Sequence, residues 1–405
     1  MGNNYVFENG EIYEERVGKK LASRRKRTYR VMIDKLNIFL LLLILSLAST
    51  LSINATTNSP EVVEQGETVV EEELNVKELI LGHLADSYEW HIWSNGEKHI
   101  ALSLPVILRS KNSGWHFFSS SKLNHGKSSY RGFQIASEGK YKDKIVEIDG
   151  VGNENRPIDL SLTKNAASLI INSLILIFII LRVGRVVRRN PLKSNKGFAG
   201  LMEMFILMIE AEIVKPTVGK DYKRYSPYLL TVFFFIFINN LLGLIPFFPG
   251  GANVTGNIAV TLVLAIGTFL VVNLTGSKAY YKEIFWPDVP TWLKVPFPLL
   301  PIIEFVGLFT KPFALMIRLF ANIMAGHAIV LGLTSIVFVT VDLGPTINSS
   351  MTVLSVLFTV FINFVELLVA FIQAYVFTLL SAVFIGLARH DDSEIKKEMV
   401  KSKVN

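Results

Sequence analysis

Six apolar runs limit what this chain can become. Near residues 36–53, 165–181, 228–248, 257–275, 298–340 and 351–388 the sequence stays apolar for about 18 residues or more. A helix of about 20 such residues crosses the roughly 30 Å hydrocarbon core of a bilayer, at about 1.5 Å per residue. The expected fold class is therefore an all-α polytopic membrane protein, with about five membrane helices after the N-terminal apolar segment. Composition points the same way. Only 19% of the 405 residues are charged and the mean hydropathy is +0.40, against about 25% charged residues in soluble domains. The formal net charge of +7 is concentrated, with six Lys/Arg between Arg182 and Lys196 beside an apolar run. It reads as a membrane-topology signal and not as a nucleic-acid surface. There is no cysteine, which removes disulfides, zinc–thiolate sites, iron–sulfur clusters and cysteine nucleophiles. No nucleotide-binding loop, hydrolytic triad or HExxH pattern occurs, and neither a cofactor nor a catalytic site of its own is expected.

The chain divides into four parts. Residues 1–55 are a basic leader, including Arg24, Arg25, Lys26 and Arg27, followed by an apolar stretch that closes on Ser46, Ala48 and Ser49. That order suits a signal peptide; an uncleaved anchor helix is the alternative. Residues 56–163 form a small, exported, β-rich module. It opens on an acidic stretch (Glu61, Glu64, Glu67, Glu71, Glu72, Glu73), and strand-like pieces follow at 100–108 and 130–135. Five of the seven histidines lie here: His83, His91, His99, His116 and His125. His83, Asp86 and Glu89 are spaced like helix-borne metal ligands, but solvated histidines are the preferred reading. Residues 164–390 form a membrane domain and 391–405 a cytoplasmic tail.

Within the membrane domain the basic cluster after Leu181 stops the first crossing on the cytoplasmic side. The segment 198–214 carries Glu203, Glu210 and Glu212 and reads as a surface helix ended by Pro216 and Gly219. Residues 228–247 then cross outward and 257–275 inward, leaving 277–294 as a cytoplasmic loop. The last two runs are too long for upright crossings. At 38 residues, 351–388 would span about 57 Å as a helix, nearly twice the hydrocarbon core. The expectation is a hairpin of two long, strongly tilted helices, turned at Gly344, Pro345 and Asn348 to Ser350.

Charge inside a bilayer is costly, so each ionisable residue in the hairpin is a functional candidate. Glu304, Lys311 and Arg318 recur every seven residues on one helical stripe, and Asn322 extends it by a turn. His327, nine residues beyond Arg318, faces the opposite way. Glu366 and Gln373 share a face of the second helix. Lys311 could merely snorkel and Glu304 could sit at the interface, and Gln373 could be helix–helix glue. Arg318 has no such escape: a guanidinium keeps its proton and needs an acidic partner, which another chain supplies best.

The block from Lys311 to His327, KPFALMIRLFANIMAGH, and the block from Val365 to Leu380, VELLVAFIQAYVFTLL, resemble the core of subunit a of the F-type ATP synthase. The resemblance covers roughly residues 165–390 and leaves the exported module outside. It implies a proton-translocating stator subunit with entry and exit half-channels. Arg318 would face the carboxylates of the rotor ring of c subunits, with Gln373 as its polar neighbour and Asn322 one turn on. His327 and Glu366 would line the entry half-channel, Glu304 would serve the exit route, and Asn240 would be a polar position on the outward crossing. Gly243 stands where some members carry an acid. The implied partners are the c-ring, the subunit b peripheral stalk, other membrane-sector subunits and the lipid bilayer. The implied location is the inner membrane of a bacterium, multi-pass, with residues 56–163 extracytoplasmic. A proton-coupled transporter is the main rival, but no internal repeat of the transporter kind occurs. A docking protein worked by the exported module is the other.

Overall fold

The structure, a computed structural model, describes residue 82 and residues 86–389, apart from 96–97, 112, 127, 149–153, 190–194, 246–249 and 286–298. The apolar run at 36–53, the acidic stretch at 61–73, His83 and the tail at 391–405 lie outside the described residues.

Among the described residues, short strands form three antiparallel sheets ahead of the long helices. β1 (Glu89–Asn95) pairs with β2 (Lys98–Ser103). β3 (Pro105–Ser110) lies between β4 (Gly114–Ser119) and β8 (Ile158–Asp159), and β6 (Ile145–Ile148) between β5 (Phe133–Ile135) and β7 (Glu154–Asn155). Alternation along β3 buries Val106, Leu108 and Ser110, and the first two pack with Tyr88, Leu123, Phe133 and Ile145 as the module core. The Tyr88 hydroxyl donates to Asp159 Oδ2 at 2.5 Å. Burial first, and then the Asp159 charge, raise its pKa. The expected strand at 100–108 is broken at Leu104, whose N–H is taken by Ser120 Oγ at 3.0 Å, so β2 and β3 join different sheets. The piece at 130–135 keeps only β5, because Arg131 (φ 55°) and Gly132 (φ 81°) turn the chain before it.

The helix-borne metal reading of Asp86 and Glu89 fails: Glu89 opens β1, and Asp86 Oδ1 instead accepts the backbone N–H of Asn165 at 3.0 Å. That bond satisfies a free donor in the first turn of α1 (Lys164–Arg189). With Lys164 N–H to Ser87 O at 2.8 Å, it fixes the module to the membrane domain. Asp86→Ala is expected to weaken this joint by about 1 kcal/mol, and Asp86→Asn by much less. Hydrogen exchange at the Asn165 amide reads the difference, and unchanged exchange in Asp86→Ala would contradict the cap.

Helices follow to the end of the described chain: α2 (Gly197–Met208), a π-helical stretch (Ile209–Val214), α3 (Lys215–Val218), α4 (Tyr222–Gly243), α5 (Ile258–Thr275), α6 (Lys278–Phe285), α7 (Leu299–Val339) and α8 (Pro345–Arg389). Four of them, α1, α5, α7 and α8, are long and apolar enough to cross a membrane. The other expected crossing, 228–247, corresponds to α4, which starts earlier and is enclosed by its neighbours. Leu229, Leu230 and Val232 to Ile236 are all 1% exposed or less. Asn172 of α1 donates to Asn239 Oδ1 of α4 at 3.0 Å.

Three local expectations are corrected. Pro216 does not end the helix before it but sits in the first turn of α3, where a missing N–H costs little; Gly219, at φ 70°, makes the stop. Glu203 points inward, 6% exposed and holding Asn195 Nδ2 at 2.9 Å. The outer face of α2 is instead apolar, with Phe198, Leu201, Met204 and Leu207 exposed, as suits a helix lying on lipid. Within the loop expected at 277–294, residues 278–285 are helical.

The long hairpin is present, with 41 residues in α7 and 45 in α8. Its turn is shorter than expected. Gly344 takes φ 98° and Pro345 begins α8, the position where proline suits a helix best. Asn348 to Ser350 are therefore helical, and Thr340 Oγ1 donates to Asn348 Oδ1 at 3.0 Å. The inner face of α8 carries Ala370, Ala374, Thr378, Ser381 and Ala382, small side chains that let helices approach closely. The outer faces of both helices expose large apolar residues, among them Phe309, Phe313, Phe361 and Phe364.

Candidate functional site

Where α7 and α8 cross α4, a cavity of about 160 Å³ opens. Its polar lining is Asn240, Asn253, Thr255, Asn322, His327 and Glu366. Glu366 is 8% exposed and Asn240 3%. His327 Nδ1 stands 3.9 Å from Glu366 Oε2, an ion-pair distance when the imidazole is charged and too long for a direct hydrogen bond. Thr255 Oγ1 donates to Asn240 Oδ1 at 2.7 Å, and Asn240 Nδ2 reaches the Ala370 carbonyl of α8 at 3.4 Å. A water needs only about 10–15 Å³ on this measure and two to four polar partners, so the cavity can hold a short chain of them.

Glycine makes the close approach possible. A Cβ on Gly326 would stand 2.4 Å from Glu366 Oε1, 3.2 Å from its Cδ and 3.4 Å from its Cγ. By contrast a Cβ on Gly243 would meet nothing closer than 3.6 Å, with His327 Nε2 at 3.9 Å.

Arg318 lies one turn of α7 from Asn322, but on the outer face. It is exposed among apolar neighbours, Phe313 and Ile317 included. Among the described residues it makes no hydrogen bond or ion pair. Gln373 is buried at 9% two turns past Glu366 on the inner face of α8, and no hydrogen bond joins it to Arg318. Glu304 is half-buried near the other end of α7, beside Tyr280 of α6. Burial, then Tyr281, then Glu304 raise the Tyr280 pKa. Lys311 rests its ammonium 5.9 Å from the Phe384 ring.

Of the residues singled out in the sequence, Asn240, Asn322, His327 and Glu366 thus share one cavity. Arg318, Gln373 and Glu304 stand apart from it. At about 1.5 Å per residue, Glu304 is about 34 Å along α7 from His327, with Arg318 between them. Sequence reasoning missed Asn253, Thr255 and Gly326. The signal was available: Gly250, Gly251 and Gly256 break the helix between two apolar runs, and irregular backbone between membrane helices is tolerated where it lines a cavity.

The family described as ATP synthase A chain matches residues 167–386, more than half of the chain. A second family, described as a domain of unknown function (DUF8433), matches residues 79–166. Over 242 residues the chain is 43% identical to ATP synthase subunit a of Chloroherpeton thalassium, covering 58% of this chain and 68% of the relative. It is 41% identical over 246 residues to the protein of that name from Chlorobium phaeobacteroides, with the same coverage. To that from Myxococcus xanthus it is 39% identical over 246 residues, covering 58% of this chain and 77% of the relative. A multi-helix membrane protein with a polar cavity at a long helical hairpin is the class defined by the fold. The chain belongs to the ATP synthase A chain family.

Proposed function

We propose that the chain is the proton-translocating stator subunit of an F-type ATP synthase membrane sector, in an inner bacterial membrane with the module at 56–163 on the exported side. The observation that carries this reading is the position of Arg318. It is a permanent cation on an apolar outer face, with no partner among the described residues, between a polar cavity on one side and Glu304 on the other. A ring of c subunits carrying carboxylates fits that face. The subunit b stalk and other membrane-sector subunits would complete the assembly.

In this mechanism protons enter through the cavity, passing Asn240, the His327/Glu366 pair and Asn322. A rotor carboxylate takes up a proton there and moves into lipid as a neutral acid. On the other side of Arg318, a carboxylate approaching the guanidinium is drawn into its ionised form. At about 4 Å and an effective dielectric near 20, that attraction is about 4 kcal/mol. The released proton leaves toward Glu304. Gln373 would hold the helix geometry behind Arg318. Protons cannot pass the cation directly, so the ring must turn for them to cross.

Glu366→Gln tests the entry path. The amide keeps the volume and one acceptor but cannot exchange a proton. Proton flux through the assembled complex is expected to fall by about a hundredfold or more, the low end of what a positioned proton-transfer group contributes, roughly 10²–10⁴. An unchanged rate of gradient-driven proton flux in vesicles would remove Glu366 from the path.

A further inference from the structure

The outward face of the sheet β4-β3-β8 takes no part in the proposed mechanism. On it Phe117 is 66% exposed, Ile158 52% and Trp115 50%. The register groups them: Arg109 stands opposite both Trp115 and Ile158, and Ile107 opposite Phe117. The Trp115 and Phe117 rings lie 6.3 Å apart and 17° from parallel, and the Arg109 guanidinium sits 5.6 Å from the Trp115 ring centre. A contiguous apolar patch with a polar rim marks an interaction surface.

We infer that this face rests in the headgroup layer of the membrane's outer leaflet, with the aromatic rings at the interface and Arg109 on a phospholipid phosphate. This rests on the reading in which the module is exported. The first argument for lipid is continuity with the membrane domain. Alongside β3, Leu160 N–H bonds Ile107 O at 2.9 Å and Leu162 N–H bonds Pro105 O at 3.1 Å. Leu162 then packs against the helical core, which also includes Trp90 and Leu104. Counting about 20 residues of hydrocarbon back from Arg182 puts the bilayer boundary at Leu162. At about 3.3 Å per residue, Phe117 lies no more than about 7 Å beyond that boundary, and Trp115 about 13 Å. The headgroup layer extends about 5–8 Å past the hydrocarbon. Phe117 therefore reaches it even if the strand stands upright, and a strand tilt of about 50° or more from the membrane normal brings in Trp115, Ile158 and Arg109 as well.

The second argument is charge. Among the outward positions of these strands (105, 107 and 109 on β3; 115, 117 and 119 on β4; 158 on β8) the one ionisable residue is Arg109. A guanidinium beside tryptophan is complementary to a phosphate above acyl chains.

The chain has no cysteine, so Phe117→Cys gives it one thiol for a spin label. In the assembled complex, in nanodiscs of phosphatidylethanolamine and phosphatidylglycerol, the label is expected to favour collision with oxygen over a water-soluble nickel chelate. The ratio should be several-fold higher than for a label at Lys140→Cys, an exposed position of the same module. Adding Arg109→Glu should shift it back toward the Lys140 value. Equal ratios at the two positions would overturn the inference, and so would protection of the Phe117 site from both reagents, the mark of a protein partner. Membrane-impermeant maleimide on Lys140→Cys reports sidedness separately. Labelling only from the cytoplasmic side would sink the exported reading itself, whereas outside labelling with a water-like ratio sinks the lipid contact alone.

Discussion

Replacing Arg318 with alanine is expected to abolish ATP synthesis driven by a proton gradient in membrane vesicles, while the subunit still inserts and the complex still assembles. Arg318 is exposed, and among the described residues it makes no bond that holds the fold together. Its loss therefore leaves the α7–α8 packing and the buried α4 core as they are. What disappears is the fixed charge. Without it the drive to ionise an approaching carboxylate falls by about 4 kcal/mol, about a thousandfold in the equilibrium. The barrier between the cavity and the Glu304 side falls as well. Arg318→Lys keeps a charge but not the planar, permanently protonated group, so it should recover little. The measurement is gradient-driven ATP synthesis, with the content of this subunit in purified complex as the control. Full coupling in Arg318→Ala would refute the proposed mechanism.

Much of this site was legible in the sequence because membrane helices leave few choices. A charge every seven residues in an apolar run fixes a stripe, and half a turn of offset fixes the opposite face. On that basis alone Arg318 and His327 were expected on different sides of one helix, and α7 carries them so. The sequence could not show which polar residues meet across helices. Asn322 reads as the next member of the Arg318 stripe, yet it lines the cavity, because the packing of α7 against α4 and α8 turns that position inward. Asn253 and Thr255 come from a non-helical stretch whose course depends on packing and not on periodicity. Glu203 was misread for a related reason. Charge on a surface helix ordinarily faces water, but the exposed face of α2 is apolar, and Glu203 turns inward, between Met202 and Ile206, to bind Asn195.

Gly326→Val is the second change with a large expected effect, because it displaces a titrating group of the cavity without removing one. The Cβ of any other residue at this position would stand 2.4 Å from Glu366 Oε1, closer than nonbonded atoms approach. The carboxylate tip can swing aside, but Cδ and Cγ lie only 3.2 and 3.4 Å away, so the whole side chain must turn from α7. Alanine forces the tip to move; valine, branched at Cβ, also fills the space into which it would move. Either way Glu366 leaves the 3.9 Å separation from His327 and the route past Asn322 narrows. Overpacking of a close helix contact typically costs about 1–3 kcal/mol, too little to unfold a hairpin whose helices run 41 and 45 residues. The expected result is an assembled complex with proton flux reduced at least tenfold in Gly326→Val and less in Gly326→Ala. Pairing Gly326→Ala with Glu366→Asp, one methylene shorter, should restore part of the flux. Flux in Gly326→Val equal to the unmodified protein would mean that protons do not travel between these two helices.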